Sequence, residues 1–431
     1  MSKSLNDQAW LMLFKKYKIL DEVLKNGHVE ISSTKINEFR EARLMTKFDH
    51  KSHLPELFSK NNLSILPTSR GGYIIGEFET FCNFTQDTDD VFPVEFPTFL
   101  ESIDYRDITS EATAINCAFV SRILHDFTNE ENLLPTVSGR MSSSSFSFNI
   151  NSPKGTFKVN VGNSQIEIDG GYEGDSSLNL IEAKNIISTD FLVRQLYYPY
   201  KLWNGKINKK VRPIFMTYSN GIFHLREYNF TDENHYNSLT LIKQKKYAIQ
   251  EGSFNIEILS QILDTTKIVP EPELPFPQAD SFERVINLCE LIKQNQDMSK
   301  EQYLEDFDFG SIDPRQHDYY TNAARYLGLV LKSKETANKQ VFFTLSVLGQ
   351  KVMNTPLIER QKEFVKLIIS HKAFRETLKL HLIDGEMPSK ERIVDIMKQS
   401  NVYNVGSETT YFRRASTITG WINWIMNQIE E

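Results

Sequence analysis

Residues Gln165–Asn185, QIEIDGGYEGDSSLNLIEAKN, constrain the fold more than any other stretch of this 431-residue chain. Polar and apolar residues alternate from Gln165 to Asp169, the period of a strand with one wet face. Gln165, Glu167 and Asp169 are therefore expected on one side, with Ile166 and Ile168 on the other. A second strand follows at Leu178–Lys184, where Leu178, Leu180 and Ile181 require burial and Glu182 and Lys184 share a face. Two adjacent strands of this kind bring Asp169, Glu182 and Lys184 to a single point. Thirteen residues separate Asp169 from Glu182, which suits a turn and a return strand, and Gly170, Gly171 and Gly174 are expected to shape that connection.

The trio has a chemical logic. Two carboxylates supply the hard oxygen ligands that Mg²⁺ prefers and leave positions for water and a phosphate oxygen. A metal held there acidifies a bound water and offsets charge at phosphorus. A lysine two residues on can orient that water and stabilise developing negative charge. A charged sheet edge would also carry Glu-Ala-Lys, but the Asp at the end of the preceding strand and the apolar flanks favour a site. Glu167 is the rival of Asp169 as ligand; the strand end beside the glycines favours Asp169.

The rest of the chain reads as several domains around this hairpin, since ordinary domains run to roughly 100–200 residues. Ile268–Gln278, IVPEPELPFPQ, holds four of the fifteen prolines and marks the main boundary. Residues 1–100 read as an N-terminal α+β domain able to contact DNA, opening with a helix over 7–25. Residues 101–265 follow an α/β order, with helices over 110–127 and 189–203 and strands at 146–150, 156–161, 211–218 and 222–230. Ser219-Asn220-Gly221 is a hairpin turn signal between the last two. Residues 266–355 give three helices and a short hairpin, the winged-helix order, and 356–431 a second small helical domain of similar type. The fold class is thus multi-domain α/β plus α: a mixed sheet flanked by helices, with winged-helix domains.

The formal net charge of −7 argues against a nucleic-acid partner when taken over the whole chain. Locally the balance reverses: residues 191–250 carry ten Lys and Arg against three acids, with Tyr197, Tyr198, Tyr200 and Trp203 among them. Lys201, Lys209 and Lys210 are phosphate-contact candidates there, and the aromatics can pack on sugars. SGRMSSSSFS (residues 138–147) offers Arg140, Ser142 and Ser144 to phosphates, or is simply a polar loop. In DPRQHDYYTNAARYLGL a helix from about Pro314 presents Arg315, Gln316, Tyr319, Asn322 and Arg325 outward, with types that read base edges. Arg413 and Arg414 open the last helix in a similar way. Three separated cysteines exclude a disulfide framework, no histidine cluster points to zinc, and no apolar run suits a membrane, so a cytoplasmic setting is expected.

Asp169…Glu182-Ala183-Lys184, with Ile168 where the namesake proline stands, resembles the PD-(D/E)XK nuclease signature. The wider chain is similar to type II restriction endonucleases with C-terminal winged-helix domains. RLMTKFDH, LSILPTSRGGYIIG, SGRMSSSSFSFNI, RQLYYPYKLW and PQADSF…DPRQHDYYTNAARYLGL carry that likeness. The resemblance implies a restriction-endonuclease-like core in which Asp169 and Glu182 hold Mg²⁺ and Lys184 positions the water. It further implies sequence-specific cleavage of double-stranded DNA to 5′-phosphate ends, a homodimer when cutting, and a cognate DNA methyltransferase in the same system. Glu111, which opens the helix before the sheet, and Gln195, on the helix after the second strand, are the supporting candidates. Modification-dependent and repair nucleases share this core, and a winged-helix DNA-binding regulator with an inactive core would share the pattern.

Overall fold

The two strands expected on either side of the glycines lie inside a seven-stranded mixed sheet. The computed structural model describes residues 4–85, 90–249, 254–307, 318–334 and 340–429. In chain order the strands of this sheet are β1 (Val91–Val94), β2 (Leu133–Ser142), β3 (Gln165–Gly174), β4 (Ser177–Lys184), β5 (Lys210–Ser219), β6 (Ile222–Phe230) and β7 (Leu239–Ile249). Across the sheet they run β1-β7-β6-β5-β4-β3-β2. β4 pairs parallel with β5 and antiparallel with β3, and β3 pairs antiparallel with β2. All of β4 is buried, as a central strand with an apolar run must be.

Two helices cover the hairpin: α1 (Glu111–Val120) and α2 (Arg194–Asn204). Leu178 and Leu180 join one core cluster with Leu196 and Tyr200 of α2. Ile115 of α1 lies against Gly170, which faces Ile181 across the ladder, so α1 serves the other face. Asn220 (φ 52°) and Gly221 (φ 74°) form the two-residue turn between β5 and β6, as Ser219-Asn220-Gly221 announces.

The chain divides into two units. The first comprises residues 1–92, 111–218 and 222–247; the second comprises 93–110, 219–221 and 248–431. Within the first, helices over Leu5–Tyr17 and Ile19–Asn26 and a three-stranded sheet build a separate core cluster around Trp10, Leu13, Phe58 and Ile75. In the second, Phe282–Asn295, Asp297–Ser299, Lys300–Asp306, Asp318–Tyr326, Val330–Lys334 and Val341–Leu345 run helix, strand, helix, helix, strand, strand. Their three strands form an antiparallel sheet with Val341–Leu345 in the middle. Ser299 starts the second of these helices with a reciprocal capping box to Gln302. Among the described residues five further helices, Val347–Met353, Leu357–Ile369, Lys372–Asp384, Lys390–Gln399 and Glu408–Met426, complete this unit's C-terminal part.

Several sequence expectations need correction. The helix over 7–25 is two helices broken at Lys18 (φ 49°), and that over 110–127 is two broken at Arg122 (φ 62°). One left-handed residue re-aims the axis so that both halves bury an apolar face, which a 3.6-residue period cannot reveal. The segment at 189–203 begins as a strand, Asp190–Leu192, paired with Phe81–Asn83, and becomes helical only at Arg194. The polar run at 138–147 is largely strand: β2 ends at Ser142 and the next strand starts at Phe146. Gly170, Gly171 and Gly174 sit within β3, and Asp175 and Ser176 alone make the connection.

Candidate active site

Asp169 owes its position to a break in strand regularity. Val137 pairs with Gly171 and Gly139 with Ile168, so Asp169 and Gly170 together face the single residue Ser138. An extra residue of this kind is a β-bulge, which bends a strand and re-aims its side chains. The bulge ends the simple alternation that placed Asp169 beside Gln165 and Glu167. Glu167 continues outward and meets Arg140 at 3.2 Å, both well exposed. Asp169 turns to β4 instead: the β3–β4 ladder stops at Gly170 and Ile181, and Ala183 donates its N–H to Asp169 Oδ2 at 2.9 Å. A side chain thus replaces the next ladder bond, and the two strands part around a polar cleft.

Glu182 and Lys184 are buried on the β4 side of that cleft. Lys184 Nζ donates to Glu182 Oε1 at 2.6 Å and to Ala183 O at 3.1 Å, and lies 3.6 Å from Glu111 Oε1. Gln195, in the first turn of α2, donates from Nε2 to the same Glu182 oxygen at 2.5 Å. Its own Oε1 is shielded and has no partner among the described residues. Burial pushes the Glu182 carboxyl up to about 8, with Asp169 adding to the effect and Lys184 opposing it. Burial also opposes the charge of Lys184, but Glu182, Asp49, Glu111 and Asp169 outweigh it and hold the ammonium well above the ordinary lysine range. Glu111 is pushed up by burial against the pull of Lys184.

The cleft has a volume of about 220 Å³ and gathers Asp169, Glu182, Lys184, Glu111, Glu167, Gln195 and Arg140 from the expected set. It also takes in Tyr198, one of the aromatics of the basic stretch, and Lys47, Asp49 and Arg194, which no sequence signal marks. Asp49 is held below the usual carboxylate range: burial alone would raise it, but Lys184, Lys47, His50 and Arg194 prevail. Nothing local marks Asp49, which lies far upstream of the hairpin.

The other expected contacts fall elsewhere. Ser142 and Ser144 are exposed and do not line the cleft. Lys201 donates to Asn234 at 3.0 Å, and Lys209 donates to Glu173 Oε1 at 2.7 Å and Gly174 O at 2.8 Å, at the closed end of the hairpin. Lys210 is exposed. Tyr197, Tyr198 and Tyr200 are core residues of the sheet–α2 interface, which corrects their reading as sugar-packing aromatics. Tyr197 and Tyr198 satisfy their hydroxyls on Glu233 O and Pro67 O. In the second unit, Ala323, Ala324, Tyr326 and Leu327 are buried as expected, while Tyr319, Asn322 and Arg325 are partly exposed. Arg325 donates to Asn322 at 3.0 Å. Arg413 is exposed, and Arg414 donates to Asn404 O at 3.2 Å. Arg315 and Gln316 lie outside the described residues.

Among the described residues no group of three or more His, Cys, Asp or Glu side chains is set to hold a metal ion. The donor chemistry nevertheless fits Mg²⁺, which keeps several waters and is commonly held by one or two carboxylates plus a phosphate. Asp169 and Glu182 are two such carboxylates beside a polar space, and burial, which holds the Glu182 carboxyl up, opposes a charge that a dication there would stabilise.

Three family models match the chain, each described as a domain of unknown function: DUF6996 over residues 7–75, DUF6997 over 76–248 and DUF7226 over 284–430. No curated protein and no solved structure matches it.

Proposed function

We propose that the chain is a Mg²⁺-dependent, sequence-specific double-strand DNA endonuclease of restriction type, built on a PD-(D/E)XK core. One observation carries the reading: Asp169 and Glu182 open onto one cleft where two paired strands part, with the Lys184 ammonium 2.6 Å from Glu182. A bulge, a buried carboxylate and a buried lysine together are costly to a fold and useful to phosphodiester hydrolysis.

In this reading Asp169 and Glu182 hold the cation, which when bound supplies an acidified water and offsets charge on the scissile phosphate. Lys184, kept charged by the surrounding acids, donates hydrogen bonds to the attacking water and to the phosphoryl oxygen as negative charge grows. Gln195 orients Glu182 through its amide N–H and leaves its carbonyl facing inward. Arg140, on the exposed edge strand β2, is placed to contact a neighbouring phosphate. Attack in line with the departing 3′ oxygen leaves a 5′ phosphate. Cutting both strands takes two such sites, so a homodimer acts on the duplex, and a cognate methyltransferase would protect the host's own sites.

A second reading has its own support in the helix, strand, helix, helix, strand, strand order of residues 282–345. That order fits a winged helix, with Tyr319, Asn322 and Arg325 on its third helix, and a DNA-binding regulator with an inactive core would need nothing more. Digestion of a long defined DNA with Mg²⁺ decides between them. Discrete bands, ended by 5′ phosphates and absent with chelator, are expected of the endonuclease. Intact DNA across methylated and unmethylated substrates would favour the regulator, and cutting of methylated DNA alone a modification-dependent enzyme.

A further inference from the structure

The cleft draws on two separately matched stretches of the chain: the trio lies within residues 76–248, whereas Lys47 and Asp49 lie within 7–75. We propose that the Lys47–Asp49 segment is part of the active centre and that Asp49 is a positioning residue for the Lys184 ammonium. The inference rests on the nuclease reading above and adds a residue to it.

Backbone and buried side chains attach this segment to the strand after β4. Asp49 O accepts the N–H of Leu192 at 3.0 Å. His50 Nδ1 lies 2.6 Å from Asp190 O, and Lys51 donates its N–H to Asp190 Oδ1 at 3.1 Å. His50 and Asp190 are both buried. Three consecutive upstream residues are therefore clasped to Asp190–Leu192, the short strand that follows β4 and pairs with Phe81–Asn83. A clasp built from backbone and buried side chains fixes where the Asp49 carboxylate stands in the cleft wall.

Among the described residues that carboxylate has no close ion pair or hydrogen bond of its own to hold it: it accepts no hydrogen bond, and its ion pair with Lys47 is long, at 4.0 Å. Asp49 and Lys184 line the same cleft, and Asp49 supports the ammonium's charge together with Glu182 and Glu111. Glu182 Oε1 already receives both Lys184 and Gln195. When Glu182 serves the reaction, the ammonium needs a further anion to keep it aimed, and Asp49, in the lining of the same cleft, provides it. A residue that holds a reacting group in place acts on rate at saturation, and a displacement of about 1 Å can cost roughly 10²-fold.

The test compares wild type, Asp49→Asn and Asp49→Glu as full-length chains. It reads single-turnover cleavage at saturating DNA, DNA affinity in chelator, and thermal unfolding. The expected result is a roughly 10²-fold slower Asp49→Asn with unchanged affinity and melting temperature, and substantial recovery of rate in Asp49→Glu. Asp49→Asn cutting at the wild-type rate overturns the inference and leaves the nuclease reading standing. So does a rate loss that follows a fall in melting temperature in both variants, which marks a purely structural role. A wild-type chain that cuts no DNA overturns the nuclease reading and this inference with it.

Discussion

The two ends of the β3–β4 hairpin each bury a carboxylate, and they treat it in opposite ways. At the closed end Glu130 accepts from the hydroxyls of Ser177 and Ser176 and from the Ser176 N–H, all neutral donors. Its side chain fills the notch left by Gly174, where an added Cβ would stand 1.5 Å from Glu130 Oε2. At the open end Glu182 faces a cleft, receives a buried ammonium and an amide, and has Asp169 and Asp49 raising its carboxyl further. Burial is the same to within a percentage point, 8% and 7% exposed. What separates a carboxylate that braces a turn from one fit for chemistry is therefore its company: saturated neutral donors and no space, against competing charges and room for a ligand.

The largest expected effect comes from breaking the open end. Lys184→Ala is expected to slow cleavage by roughly 10³-fold or more while sequence-specific binding survives, because the lost donor acts on charge that develops only during reaction. Single-turnover kinetics beside a gel-shift titration measure both. Wild-type rates in this variant would remove Lys184 from the proposed centre.

Breaking the closed end should do the reverse. Glu130→Ala strips the acceptor from buried Ser177 and from Ser176, at a cost of about 3 kcal/mol in stability. Cleavage per folded molecule should be unchanged. Denaturant unfolding checks the first part and cleavage normalised to folded protein the second; a specific rate loss without destabilisation would erase the contrast between the ends.

The sequence reveals the two ends unequally, and the reasons are physical. Asp169, Glu182 and Lys184 are legible because strand alternation and an apolar run are local signals, and all three fall within one hairpin. Even there the alternation that points to Asp169 is interrupted by the bulge, of which the pair of glycines after it is the visible trace. Asp49 is illegible because its place depends on backbone bonds to Leu192 and Asp190, which no local pattern encodes. β2 carries no such signal because, as an edge strand exposed along most of its length, it has no buried face to impose alternation. Tyr197, Tyr198 and Tyr200 misled for the opposite reason: an aromatic beside lysines serves a core and a nucleic-acid surface equally well until burial is known. The three helices and the hairpin of 282–345 are legible from caps and periods, whereas the strand Asp297–Ser299, which makes the hairpin a three-stranded sheet, is too short to show a period.

A smaller effect tests the electrostatics at the open end. Because burial raises the Glu182 carboxyl to about 8, the folded chain binds that proton more tightly than the unfolded chain does. The resulting stability is fully present below the ordinary carboxylate range and fades as pH rises through about 8. In metal-free buffer the wild-type melting temperature should therefore fall between pH 5 and 9 relative to Glu182→Gln, which has no such proton to lose. Parallel curves for the two proteins would mean that Glu182 is charged throughout.

The smallest effect separates two surface cations, one at each end. Arg140 borders the cleft and is paired with Glu167 at 3.2 Å, both more than half exposed; Lys209 is tied to Glu173 and to Gly174 O at the closed end. Exposed pairs of this kind contribute about 0–1 kcal/mol to folding, so neither substitution by Ala should much change stability. Their effects on DNA should differ. Losing a phosphate contact lowers the dependence of log affinity on log salt by about 1, so Arg140→Ala should show that change and Lys209→Ala none. Binding isotherms at three or four salt concentrations suffice. An equal change in both slopes would mean that DNA lies along the whole hairpin and that basic charge, rather than the cleft, sets its path.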